Sequence, residues 1–153
     1  MTANDPWSSW MRHCLDLARR GEGRVSPNPM VGAVILDPSG ELASEGWHEG
    51  PGQPHAEVVA LEKLHGLATG STMIVNLEPC CHHGRTPPCT DAILASGLTR
   101  VVVGMVDPNP LVSGKGLEIL REAGLEVVLG VEEAACLALN KPFVDLMVKL
   151  KQA

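Results

Sequence analysis

The chain has 153 residues, 44% hydrophobic and 3% aromatic, with a formal charge of −6. That length suits one α/β domain whose core is packed with aliphatic rather than aromatic side chains. The negative charge argues against nucleic acid or an anionic membrane surface as partner, since both select basic surfaces, and leaves room only for a local basic pocket around one phosphate.

Asp5-Pro6 reads as a helix start, with Asp as cap and Pro in the first turn. Trp7, Trp10, Met11, Cys14, Leu15 and Ala18 then recur at helical spacing and predict a core-facing stripe that ends at Gly21 and Gly23. Met30 to Leu36 is an apolar run typical of a buried strand. Asp37-Pro38-Ser39-Gly40 turns the chain into a hairpin partner over Glu41 to Gly46. A Gly/Pro loop ends at His55, and Val58, Val59, Leu61 and Leu64 predict a helix to about His65. Thr72 to Leu77 is a second buried strand running into Glu78-Pro79-Cys80. After a loop rich in Cys, His, Gly and Pro, Thr90 to Ser96 reads as a helix closed by Gly97. Arg100 to Val106 is a third buried strand, and Asp107-Pro108-Asn109-Pro110 is a loop. Gly116 to Ala123 is a helix ended by Gly124, and Glu126 to Leu129 is a strand. Glu132 begins a last helix that Pro142 interrupts. Strands alternating with helices imply a layered α/β domain with right-handed crossovers.

Five cysteines, with Cys80 and Cys81 adjacent, make a poor disulfide framework and read as a metal site in a reducing compartment. The start of the chain lacks the apolar core of a secretion signal, and no run of about 18 apolar residues marks a membrane span. A cytoplasmic protein is expected. His55, Cys80 and Cys89 read as three zinc ligands with a fourth position left open, the pattern of a catalytic rather than a structural ion. Glu57, two residues beyond His55, is not a ligand and is free to carry protons. Hydrolytic loss of an amino group needs both functions: water made nucleophilic at neutral pH, which zinc provides, and a carboxylate to move protons to the departing nitrogen. Residues two apart on a helix point about 200° away from each other. His55 and Glu57 therefore share a site only if His55 stands at the helix start, off the regular spiral, a placement that Pro54 favours. Cys81 reads as a bystander, because adjacent residues seldom ligate one metal well, and Cys14 and Cys136 read as core.

Ser26-Pro27-Asn28-Pro29-Met30-Val31-Gly32, Pro54-His55-Ala56-Glu57, the run from Leu77 to Cys89 with its His82-His83-Gly84-Arg85-Thr86-Pro87-Pro88 insert, and Asp107-Pro108-Asn109-Pro110 resemble the pyrimidine deaminase of riboflavin biosynthesis. The resemblance runs from about residue 8 to about residue 147. It implies a cytidine-deaminase-like three-layer α/β/α sandwich around a mixed, mostly parallel sheet of about five strands. It implies Zn2+ and a phosphorylated substrate, 2,5-diamino-6-ribosylamino-4(3H)-pyrimidinone 5′-phosphate, deaminated to the 5-amino-6-ribosylaminouracil 5′-phosphate. By the same resemblance Asn28 and His48 contact the pyrimidine or its sugar, while His82, Arg85 and Asn109 grip the ribosyl phosphate arm. The position of Arg85, a cation in a Gly/Pro-rich loop beside the metal ligands, fits a phosphate clamp. From the residues alone, Asn28 between two prolines also fits a turn and His48 a surface histidine. Lys115 fits either a phosphate contact or a solvated loop charge.

Cys81 stands where this family usually has Ser. Many bacterial members carry a C-terminal reductase. Here the expectation is one deaminase domain over residues 1–153 with no reductase domain, naturally alone or cut from a longer chain, with a separate reductase as pathway partner and a homodimer as its assembly. Relatives that stand alone also serve pathways branching from riboflavin. Two alternatives share the zinc signature. One is deamination of another small pyrimidine, purine or pterin. The other is a zinc module without catalysis, in which Cys81 or His82 closes the fourth position. A nucleic-acid editing role is opposed by the charge and by the scarcity of stacking aromatics.

Overall fold

The computed structural model describes residues 6–82 and 87–152. The expected Asp5 cap and the residues His83 to Thr86, Arg85 among them, lie outside that range. Five strands form one sheet in the order β2-β1-β3-β4-β5. They are β1 (Gly32–Leu36), β2 (Leu42–Trp47), β3 (Thr72–Val75), β4 (Arg100–Val103) and β5 (Glu126–Leu129). β1 pairs antiparallel with both β2 and β3, while β3, β4 and β5 are mutually parallel. The sheet is thus mixed, with β1 alone running against the other four, as the resemblance implies.

β1, β3 and most of β4 are buried along their whole length. Their runs of Val, Ile and Met are therefore covered on both faces. The helices are α1 (Ser8–Arg19), α2 (Ala56–Glu62), α3 (Cys89–Ser96), α4 (Lys115–Glu122), α5 (Glu133–Leu139) and α6 (Lys141–Gln152). Two glycines show which helix covers which face. A Cβ on Gly32 would strike the Cys14 carbonyl and the Ala18 nitrogen of α1, and one on Gly46 would strike Val59 of α2. Gly46 lies opposite Ala33, and successive residues of a strand point to opposite faces. α1 and α2 therefore sandwich the sheet. α3 packs beside α2, α4 beside α3 and β5, and α5 brings Cys136 against Gly104.

Several element ends differ from expectation, each for a local reason. The buried stripe of α1 is Met11, Cys14, Leu15, Leu17 and Ala18. Trp7 and Trp10 only half-enter the core, and Trp7 is covered by the Arg100 guanidinium 5.3 Å from its ring. α2 stops at Glu62 rather than near His65 because His65 and Gly66 turn left-handed, at φ 55° and 79°, and the Gly66 N–H returns to the Leu61 carbonyl. β3 and β4 end early but stay joined, through the Gly104 N–H to the Val75 carbonyl and the Glu78 N–H to the Met105 carbonyl. The last helix breaks at Asn140, just ahead of Pro142.

The contact between Gly32 and α1 sets how closely α1 sits on the sheet. Gly32→Ala should cost about 2 kcal/mol or more by overpacking. Thermal unfolding should then fall by roughly 5 °C or more. An unchanged midpoint would mean that α1 can lift from the sheet without loss.

Candidate metal centre and its pocket

Three elements each contribute one donor. His55 is the N-cap of α2, with φ −70° and ψ 160°. Its backbone is extended while its carbonyl already accepts the first helical bond, from the Val59 N–H. The imidazole therefore leaves the spiral in another direction than a helical residue would, which resolves the 200° conflict with Glu57. Cys80 follows β3 and lies on the N-terminus of α3. Its Sγ accepts the Cys89 N–H at 3.2 Å and its carbonyl accepts the Thr90 N–H at 3.2 Å. These bonds satisfy backbone donors that the first turn of a helix leaves open. Cys89 is the first residue of α3 and is buried.

His55 Nδ1 lies 3.3 Å from Cys89 Sγ and 3.6 Å from Cys80 Sγ. The donor atoms of these three residues all lie within 4.8 Å of one another. Tetrahedral zinc with ordinary Zn–N and Zn–S bonds requires an N···S separation of about 3.6 Å. One nitrogen and two sulfurs at this spacing fit zinc with one position free. Cys81 is not a member of the group.

The electrostatics favour the same ion. The Cys80 thiol is pushed down to about 4, first by the hydrogen bond from Cys89 and next, against burial, by the one from His55. The Cys89 thiol, which shares a proton with Cys80 and is deeply buried, is pushed up. His55 is held up to about 9, chiefly by Cys80. These opposed shifts draw the proton from the Cys80 thiol toward His55, and a divalent cation would take the place of the protons shared in the cluster.

Glu57 stands in the first turn of α2 and is 3% exposed. Burial lifts its carboxyl to about 7. Glu57, His55 and Cys80 open onto a pocket of about 210 Å3. Asn28, His48, His82 and Asn109 line that same pocket, so it gathers every expected site residue except Cys89, buried behind it, and Arg85, outside the described residues. Lys115 is not among its lining residues. The pocket lies beyond the carboxyl ends of β3 and β4, where open α/β sheets bind ligands.

The Pro54 carbonyl can only accept, so His48 Nδ1 donates to it at 3.1 Å. His48 Nε2 is then the acceptor for Asn28 Nδ2 at 3.2 Å. Burial, acting first, pushes the imidazole toward the neutral form this arrangement needs. His48 is therefore a buried link between two segments, not a surface histidine.

Other residues of the site escaped the sequence reading. Two buried amides hold the segment that follows Asn28. Asn76 accepts from the Gly32 N–H at 2.8 Å and donates to the Met30 carbonyl at 3.1 Å. Asn140 accepts from the Met30 N–H and donates to the Met30 carbonyl, both at 2.7 Å. Phe143 closes the pocket from α6, and Asp107 and Glu78 complete its wall. Asp107 is lifted to about 6, first by burial. Lone Asn residues carry no periodic signal. The available hint was that Asn76 and Asn140 each interrupt an apolar stretch.

The family model described as cytidine and deoxycytidylate deaminase zinc-binding region matches residues 5–105, and the chain belongs to this family of zinc-dependent deaminases. The chain is 56% identical over 133 residues to the riboflavin biosynthesis protein RibD of Synechocystis, covering 87% of this chain and 36% of that one. It is 52% identical over 139 residues to the chloroplastic riboflavin biosynthesis protein PYRD of Zea mays, covering 91% and 35%. A Thermotoga maritima structure, described as a diaminohydroxyphosphoribosylaminopyrimidine deaminase/5-amino-6-(5-phosphoribosylamino)uracil reductase, superposes with a TM-score of 0.89 at 45% identity, covering 95% of this chain and 42% of that one. The chain spans about a third of the length of the curated relatives it matches. Among the described residues no helix is long and apolar enough to cross a membrane.

Metal analysis of purified variants checks the ligand set. Cys81→Ser should keep the full zinc complement, whereas Cys80→Ser and Cys89→Ser should lose most of it. Stripping the wild-type zinc with a chelator should lower the unfolding temperature, because ligand binding to the folded state alone stabilises it. Zinc loss in Cys81→Ser would add a fourth protein ligand and close the open position.

Proposed function

We propose that this chain catalyses hydrolytic deamination of 2,5-diamino-6-ribosylamino-4(3H)-pyrimidinone 5′-phosphate, releasing ammonia, in riboflavin biosynthesis or a pathway branching from it. The observation that carries the reading is that His55 and Cys80 of the metal cluster and the buried Glu57 carboxyl open onto one pocket. The choice of substrate is supported by the similarity to RibD and PYRD proteins and to the Thermotoga deaminase.

Held by His55, Cys80 and Cys89, zinc supplies a water that is nucleophilic at neutral pH. The protein does the rest. Glu57 accepts a proton at its carboxylate and returns it to the exocyclic nitrogen, which leaves as ammonia. A carboxyl raised to about 7 by burial is matched to both halves of that task near neutrality. Asn28, oriented by His48, contacts the pyrimidine or sugar edge. His82 and Asn109 lie toward the ribosyl phosphate, with Arg85 as its charge partner. Pairing with a second copy and a separate reductase acting on the product complete the proposal. The rival readings are another small heterocycle as substrate and a zinc module without catalysis.

Zinc-loaded protein, given the diaminopyrimidinone ribosyl phosphate, should release ammonia, and zinc-stripped protein should not. Glu57→Gln should keep its zinc and lose roughly 10²- to 10⁴-fold in turnover. Wild-type rates in that variant would remove Glu57 from the proton transfer. No release from zinc-replete wild type would favour another small heterocycle as substrate or the module without catalysis. Arg85→Ala should raise KM for the phosphorylated substrate far more than for its dephosphorylated form, and equal effects on both would remove Arg85 from the phosphate.

A further inference from the structure

Glu78 is 2% exposed and stands two residues before Cys80. Its side chain accepts four backbone N–H groups from two distant segments. Oε1 takes those of Asp107 at 3.0 Å and Gly114 at 2.9 Å. Oε2 takes those of Gly116 at 2.9 Å and Leu117 at 3.3 Å. α4 needs such a partner. Its N-cap is Gly114, at φ 92°, which has no side chain to offer, and the second and third N–H groups of a helix normally bond to the cap residue's oxygen. Glu78 supplies that oxygen from elsewhere in the chain, with its negative charge at the favourable end of the helix dipole. The fit is tight on the far side as well, since a Cβ on Gly116 would strike the Pro79 carbonyl.

The same carboxylate reaches the pocket wall. Its bond to the Asp107 N–H holds a residue whose own Oδ1 accepts the Asn109 N–H at 2.9 Å, and Asn109 Oδ1 accepts the Leu111 N–H at 3.0 Å. Asp107 and Asn109 both line the pocket. A run of bonds therefore leads from the segment bearing a metal ligand to the loop opposite it. We propose that Glu78 is a positioning residue. In this role it registers the Asp107–Asn109 loop and the start of α4 against Cys80, setting the distance between the metal centre and the substrate-facing loop.

The chemistry explains why this position holds Glu. Gln has the same shape but presents an NH2 group to backbone donors, so one of the two oxygens is lost and its N–H partners are left buried without an acceptor. Asp keeps both oxygens but is one methylene shorter and cannot span both segments. The anion-binding start of α4 is already filled by Glu78, so a substrate phosphate has to be held by other groups.

The structural part of this inference stands on geometry alone, and only its kinetic part rests on the deaminase reading. The test uses the full, zinc-loaded chain as wild type, Glu78→Gln and Glu78→Asp, followed by amide hydrogen exchange. In Glu78→Gln, exchange at one of the two pairs, Asp107 with Gly114 or Gly116 with Leu117, should quicken by about tenfold or more, with the strand amides of β1 and β3 unchanged. Zinc content should be unaltered. KM for the phosphorylated pyrimidine should rise by about tenfold with a smaller change in kcat. If Glu78→Gln does not fold, the same amides in Glu78→Asp carry the test. Unchanged exchange at those four amides, a uniform rise across the sheet, or loss of zinc would each overturn the proposal, as would an unmoved KM in an active enzyme. If the wild type leaves this substrate untouched, the deaminase reading fails, while the exchange result still decides the role of Glu78.

Discussion

The site depends on one local departure from helical geometry, the extended backbone of His55 at the start of α2. Were His55 a regular helical residue, its imidazole and the Glu57 carboxyl would point away from each other. With His55 as the cap, the ring turns to the two sulfurs while Glu57 enters the first turn and faces the same pocket. The start of a second helix, α3, then meets the first. Its opening N–H groups bond to the Cys80 sulfur and carbonyl, so the strand-end cysteine is fixed by the same turn that carries Cys89. Two helix starts and one strand end thereby hold three donors in place with backbone geometry alone.

That frame explains why the centre draws a cation. Two cysteines this close to each other and to an imidazole cannot all keep their ordinary protonation. The Cys80 thiol is pushed toward thiolate first by the hydrogen bond from Cys89 and next, against burial, by the one from His55. A zinc ion relieves that tension and leaves one position free. For Glu57 burial outweighs the same imidazole charge and the bond with Cys89, and drives it the other way, toward keeping its proton. Two neighbouring acids are thus pushed in opposite directions by their surroundings, the thiol toward its anion and the carboxyl toward its protonated form.

How much of this was legible in the chain follows from the kind of signal each part carries. The sheet was readable because β1, β3 and β4 are apolar runs buried on both faces, bounded by Gly and Pro. The candidate metal cluster was legible because His55, Cys80 and Cys89, with Glu57 close to His55, are chemically distinctive residue types at telling separations. Strand order was not readable, since β1 lies between β2 and β3 through pairings that leave no mark in the residues. Neither were Asn76, Asn140 and Glu78. Each is a single polar residue whose partners lie between about 30 and 110 positions away, and periodicity sees only neighbours. Trp7 and Trp10 misled in the opposite sense. Their spacing placed them on the buried stripe of α1, but rings of that size fit only at its margin.

These three polar residues share a task that secondary structure cannot perform. The pocket lies where β3 and β4 have ended, and beyond the Glu78–Met105 and His48–Val31 backbone bonds its wall loops go without the ladder that holds the sheet. Buried N–H and C=O groups there still need partners. Asn76 and Asn140 supply them for the Met30–Gly32 segment, and Glu78 supplies them for the Asp107 loop and α4. Each side chain stands in for a strand, bonding to backbone but leaving the pocket side of the loop open for a ligand. Replacing these bonds by longer strands would fill the space the ligand needs. An apolar contact in their place would strand the backbone groups without acceptors. A buried polar side chain satisfies both demands, so the walls of this pocket keep their backbone groups bonded without being part of the sheet.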